Sequence, residues 1–150
     1  MDINDVIAVV DSEAAASLCL SKGGWEGWLQ CELWSYLTTT RNESPEREVA
    51  YPGRAERCDL VVMVNGVTTW VEIKAYGIFR EGDTNRFLDS IGLDIMKLNQ
   101  KPAGTQGLSL VVVQSAIRES FQAALQSRHW NGFNRTDAPS GRVSVYHMTF

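Results

Sequence analysis

Cys58-Asp-Leu-Val-Val-Met-Val64, then Asn65-Gly66, then Val67-Thr-Thr-Trp-Val-Glu-Ile-Lys74 is the stretch that decides the fold. Asn-Gly between two β-rich runs signals a tight hairpin, because a type I′ turn needs φ > 0 at both central residues. A two-residue loop pairs Val64 with Val67, and that register continues to Asp59 opposite Glu72, with their Cβ atoms about 5 Å apart. Side chains alternate along a strand, so Lys74 shares the face of Glu72. Like charges directly opposite each other are unfavourable, so something positive belongs between Asp59 and Glu72: a divalent cation, or Lys74 itself. The bland alternative is a solvated sheet face carrying a surface ion pair. Both faces of the hairpin are largely apolar, which points instead to a strand pair covered on both sides.

Outward from the hairpin the pattern alternates between helix and strand. Residues 3–20 read as a helix, broken by Ser21-Lys-Gly-Gly24. From Gly24 to about Thr38 a second helix places Trp25, Trp28, Leu29, Leu33 and Tyr36 on one broad face, with Glu32 inside it. A carboxylate among aromatics must be paired, protonated or bound to a metal. Residues 47–51 form a short strand containing Glu48, and the hairpin strands cover about 58–65 and 67–76. A polar loop over 77–85 could act as a flap. Residues 85–99 read as a helix with Phe87, Ile91, Ile95 and Leu98 on one face, Asp94 near that face and Lys97 close by. Leu108 to Val113 is a continuous apolar run, as in a strand buried on both sides. Ser115 is the expected N-cap of a helix to Ser127, residues 131–141 read as a loop, and 142–149 as a last strand.

Asp59 followed by Glu72-Ile73-Lys74 after a hydrophobic hairpin resembles the PD-(D/E)xK nuclease superfamily, the restriction-endonuclease-like fold. The element order αβββαβ, followed by αβ, resembles its core over residues 24–114. Cys58 stands where the superfamily often has proline. The resemblance implies an α/β domain spanning 1–150, with a mixed central sheet flanked by helices. It implies Asp59, Glu72 and Lys74 as catalytic residues, with Asp59, Glu72 and a first-helix glutamate as ligands of Mg²⁺ or Mn²⁺. Glu32 is the expected helix ligand and Glu26 its reserve, while the backbone carbonyl of Ile73 is a further oxygen donor. Lys74 would hold the attacking water. The substrate would be nucleic acid, with DNA favoured over RNA. Many members of that superfamily cut duplexes as dimers, so a homodimer stays open.

Composition bounds these expectations. The chain has 150 residues and a net charge of −4, with a pI near 5.2. That balance gives no global attraction for phosphate backbones, so bases should line groove walls around an acidic centre. Arg41, Arg47, Arg54 and Arg57 cluster around the hairpin, followed by Arg80, Arg86, Lys97 and Lys101, with Arg118, Arg128, Arg135 and Arg142 further on. The same acidity suits a second class: a nuclease-fold binding protein of the immunity or antitoxin kind, steered to a basic toxic partner. No apolar run is long enough to span a membrane. Three cysteines without metal-finger spacing and an acidic N-terminus lead to the expectation of reduced thiols in a cytoplasm. The absence of a Gly-rich phosphate loop disfavours a nucleotide hydrolase. His129 and His147 read as structural or surface residues.

Overall fold

The structure is a computed structural model that describes residues 1–20, 25–77 and 84–150. It is α/β, with a six-stranded mixed open sheet ordered β1-β2-β3-β4-β6-β5. The elements run α1 (Ile3–Val10), α2 (Glu13–Leu18), α3 (Glu26–Thr39), β1 (Glu46–Ala50), β2 (Arg57–Val64) and β3 (Val67–Ala75). They continue with α4 (Thr84–Leu98), β4 (Gln106–Gln114), α5 (Arg118–Ser127), β5 (Asn134–Asp137) and β6 (Val143–Thr149). β3 and β4 are parallel, and every other pairing is antiparallel. α4 makes the crossover that a parallel pair requires.

The hairpin has the expected turn and register. Asn65 and Gly66 have φ of 50° and 78°, and the ladder runs from Val64↔Val67 to Leu60↔Val71. It ends there. Asp59 and Glu72 lie just beyond the last pair, and Asp59 is likewise absent from the β1–β2 ladder between Arg47↔Leu60 and Val49↔Cys58. Opposite that gap Glu48 has φ of 54°, a left-handed conformation that costs a non-glycine residue roughly 1 kcal/mol. Its carbonyl is turned to accept from Arg57 Nη1 at 2.6 Å. The tip of the hairpin is less covered than expected: Met63 is 52% exposed and Val67 41%.

Two apolar layers cover the sheet. On one face α1, α2 and α3 pack Val6, Val10, Trp25, Leu29, Leu33 and Leu37 against Leu60, Val71, Ile73, Leu110 and Val145. On the other, α4 and α5 pack Phe87, Ile91, Phe121 and Leu125 against Val111, Val113 and Tyr146. A smaller cluster of Tyr51, Cys58, Trp70 and Leu98 closes the β1 side. Trp130 and Phe133 also pack with the α4–α5 layer, and the Trp130 ring lies against Gly92, where a Cβ would meet it at 3.4 Å.

Two expected elements differ. The single helix over 3–20 is two helices, because Ser12 Oγ accepts from Ala15 N–H at 3.2 Å and starts α2 after Asp11 has closed α1. Serine at that spacing competes for the backbone as an N-cap. The expected loop over 131–141 contains β5, a polar edge strand of sequence NRTD, whose composition carries no strand signal. Ser115 opens a short 3-10 turn (Ser115–Ile117) ahead of α5, with its hydroxyl buried and unpartnered, rather than capping the helix. The break at 21–24 and most of the proposed flap, Ile78 to Asp83 with Arg80, lie outside the described residues. Among the described residues no helix is long and apolar enough to cross a membrane. The three cysteines are free.

Candidate active site

Four elements bring charged side chains together beside β3. Glu72 and Lys74 point toward α4, as their two-residue spacing requires. Asp94 and Lys97, three residues apart on α4, occupy neighbouring positions on its sheet-facing side. Lys97 Nζ bridges Glu72 Oε2 at 2.7 Å and Asp94 Oδ1 at 2.8 Å. Lys74 Nζ lies 2.9 Å from Asp94 Oδ2 and 3.0 Å from Glu26 Oε1. Glu26 reaches the site because Trp25, fully buried, donates its indole N–H to the carbonyl of Tyr76 at 3.1 Å. That bond fastens the first turn of α3 to the end of β3. Tyr51, just past β1, donates its hydroxyl to Glu72 Oε1 at 2.8 Å and stacks on Trp70 with ring centroids 4.9 Å apart.

Asp59 uses the gap in the ladder. Its Oδ2 accepts the backbone N–H of Ile73 at 2.7 Å, a bond that a strand partner would otherwise make. Cys58 Sγ, fully buried, lies 3.2 Å from the carbonyls of both Leu60 and Val71. Burial and the neighbouring Glu72 push its thiol up to about 12, so it is a neutral packing group.

The electrostatics are unbalanced. Glu26, Asp59, Glu72 and Asp94 face Lys74 and Lys97, a surplus of two acids over bases. Burial raises the Glu72 carboxyl to about 7, with Asp94 and Asp59 adding to the effect and Lys97 opposing it. Burial also lifts Asp59 to about 6, against the Ile73 N–H and Lys74. Burial opposes charge on both lysines, but Asp94 and Glu26 outweigh it at Lys74, and Asp94 and Glu72 at Lys97. Both ammoniums are held above the ordinary 10.5. Burial, then Cys58 and Glu72, raise the Tyr51 phenol, which stays a hydrogen-bond donor.

An open cleft of about 470 Å³ reaches the Lys74, Asp94 and Lys97 part of this network and is also lined by Arg54, Glu56 and Leu93 among others. Of the basic residues expected on groove walls, Arg54 and Lys97 reach it. Arg41 pairs with Asp5, Arg128 with Asp89, and Arg118 and Arg135 with Glu119 and Asp137, away from the site.

Of the expected site residues, Asp59, Glu72 and Lys74 converge, together with the backbone of Ile73. Glu32 does not. It is exposed and lines a separate cavity of about 420 Å³ with Trp28, Tyr36 and residues of α1. The buried side of α3 is the line Leu29-Leu33-Leu37, and Glu32 lies off it. Glu26, at the first turn, is the α3 acid that meets Lys74. Glu48 is exposed on the edge strand.

The residues suit a hard divalent cation in donor chemistry though not in present spacing. All the acids offer oxygen, the donor that Mg²⁺ and Mn²⁺ prefer. Asp94 Oδ2 is buried, and the Lys74 ammonium at 2.9 Å offsets its charge. Among the described residues no three His, Cys, Asp or Glu side chains form a ready-made metal cage. Comparison of the chain with known protein families, with curated proteins and with solved structures gives no match.

Proposed function

We propose that the chain is a metal-dependent nuclease of the restriction-endonuclease-like fold, hydrolysing phosphodiester bonds in nucleic acid, with DNA favoured over RNA. One observation carries the reading. Asp59, Glu72 and Lys74, chosen by hairpin register, fall into one charged cluster with Glu26 from α3 and Asp94 from α4, with two acids in surplus, and Lys74, Asp94 and Lys97 of that cluster line an open cleft. The order α3-β1-β2-β3-α4-β4, with β3 and β4 parallel, supports the fold assignment.

In this reading Asp59 and Glu72 would hold Mg²⁺ or Mn²⁺, assisted by Glu26 or Asp94 and by the Ile73 carbonyl. When bound, the metal would stabilise charge on the scissile phosphate and acidify a water. Lys74, held protonated by Asp94 and Glu26, acts as a positioned donor that orients the attacking water rather than as its base. Tyr51 fixes one oxygen of Glu72, leaving the other to Lys97. Trp25 fixes the approach of Glu26.

The test is incubation with plasmid, linear and single-stranded DNA and with RNA, in Mg²⁺, Mn²⁺ or EDTA, beside Lys74→Ala. Cleavage that needs metal and disappears in the variant supports the reading. Undiminished cleavage by Lys74→Ala would sink the mechanism.

A second reading has its own observation. Glu26, Glu72 and Asp94 are each paired with a lysine, and Leu93 and Met96, 62% and 61% exposed, stand on α4 at the cleft rim. That arrangement suits a nuclease-fold binding protein of the immunity or antitoxin kind, whose negative charge steers a basic partner to an apolar rim. Absence of cleavage under every metal condition would favour it.

A further inference from the structure

Lys97 occupies the position where the two most buried acids of the site demand a cation. Its Nζ lies 2.7 Å from Glu72 Oε2 and 2.8 Å from Asp94 Oδ1, so one ammonium joins carboxylates from β3 and α4. The three side chains differ in their freedom to leave. Those of Glu72 and Asp94 are 1% and 6% exposed, whereas that of Lys97 is 25% exposed and enters from the cleft. An ammonium on a flexible four-carbon stem can swing into the cleft, while the acids are fixed by packing and, at Glu72, by Tyr51. Lys74 has a different part. It touches Asp94 and Glu26 but not Glu72, and is 15% exposed.

From this geometry we infer that Lys97 is an internal counter-ion, holding Glu72 and Asp94 in the metal-free protein and displaced by a divalent cation that takes the same oxygens. The inference rests on the metal-binding part of the proposed function. A tethered competitor lowers metal affinity. Its displacement also moves a positive charge into the cleft beside Arg54, where a phosphate backbone would meet it. The acids are thereby kept paired until metal arrives, and the cleft gains positive charge when it does. A lysine that merely ties α4 to β3 predicts the opposite: removing it would loosen the acids and weaken metal binding.

Mn²⁺ binding to the full chain, read from the electron paramagnetic resonance signal of free Mn²⁺, separates the two. The proteins are the parent, Lys97→Met, which keeps the apolar stem, and Lys97→Gln, which keeps a neutral donor and serves if the first does not fold. The expected result is Mn²⁺ binding tighter by on the order of tenfold in the variants, the scale of one partly solvated ion pair. Thermal unfolding gives a second reading. The variants should melt below the parent in EDTA and gain more than the parent from Mn²⁺. Equal or weaker Mn²⁺ binding in the variants, with the parent binding normally, overturns the counter-ion role and leaves the metal site standing. No binding by any of the three overturns both.

Discussion

Asp59→Asn tests the electrostatics of the site without relying on any activity. In the folded chain the Asp59 carboxyl is held at about 6, against an ordinary 3.8, chiefly because it is buried. At about 1.4 kcal/mol per pH unit that gap is worth ~3 kcal/mol. The folded protein holds this proton more tightly than the unfolded chain, so acid favours the fold. The benefit is complete below 3.8, declines as pH rises through the window to about 6, and is gone above it. Asparagine has the shape of the protonated acid, can still accept the Ile73 N–H, and does not titrate. The stability of Asp59→Asn relative to the parent should therefore improve with pH, by ~2 kcal/mol between pH 4.5 and 7.5, the part of the window that urea melts can reach. The comparison cancels every titrating group that the two proteins share. Both melts are run in EDTA, since bound metal would neutralise Asp59 and erase the difference. A stability difference that stays flat or moves the other way would show that Asp59 is not a desolvated acid, and the site would lose the unbalanced charge on which the metal reading depends.

Two further substitutions probe the geometry. Tyr51→Phe removes the hydrogen bond to Glu72 Oε1 and should destabilise the protein by about 1.5–3 kcal/mol in urea melts at pH 8, as expected for a buried bond to a charged group; an unchanged midpoint would mean that the bond is not made. Under the nuclease reading Glu26→Ala should weaken Mn²⁺ binding, by on the order of tenfold, whereas Glu32→Ala should leave it unchanged. Titration by calorimetry measures both, and a loss confined to Glu32→Ala would place the wrong acid in the site.

Much of this arrangement was legible because it is local. Asn65-Gly66 dictates the turn, the turn dictates the register, and the register places Asp59, Glu72 and Lys74 without any long-range information. What the register could not show is that the ladder stops one residue early. That gap depends on Glu48 taking a left-handed conformation on a neighbouring strand and on Asp59 substituting for a backbone partner. The choice between Glu26 and Glu32 failed for a related reason. A helical wheel with five large apolar residues spans too wide an arc to say which edge faces the sheet, and Trp28 and Tyr36 pulled the estimated face toward Glu32. The side that is buried runs through Leu29, Leu33 and Leu37, and the tilt of α3 is set by the Trp25–Tyr76 bond, a contact between residues 51 apart. Asp94 near the apolar face of α4, with Lys97 close by, was visible as a pattern; that Lys97 would seat itself between Asp94 and Glu72 was not, because nothing local ties α4 to β3.

The acidity of the chain, which argues against a polyanion substrate on composition alone, has a more specific meaning in the folded site. Gathering four carboxylates, two of them buried, around two ammoniums is costly unless the surplus is relieved. Two means of relief are present: proton uptake at Glu72 and Asp59, whose carboxyls are lifted toward neutrality, and pairing of Glu72 and Asp94 by Lys97; the proposed binding of a divalent cation would be a third. These compete for the same oxygens, so they are linked. Acid should weaken metal binding because protons occupy the ligands, and removal of Lys97 should strengthen it because the competitor is gone. A site built only to hold a partner protein has no reason to bury more acid than it pairs, whereas a site that must accept a dication needs that surplus. The linkage between pH, Lys97 and metal is therefore the physical property that separates the two functional readings: both effects should appear together in a nuclease, and neither should appear in a binding protein whose lysines have permanently closed the site.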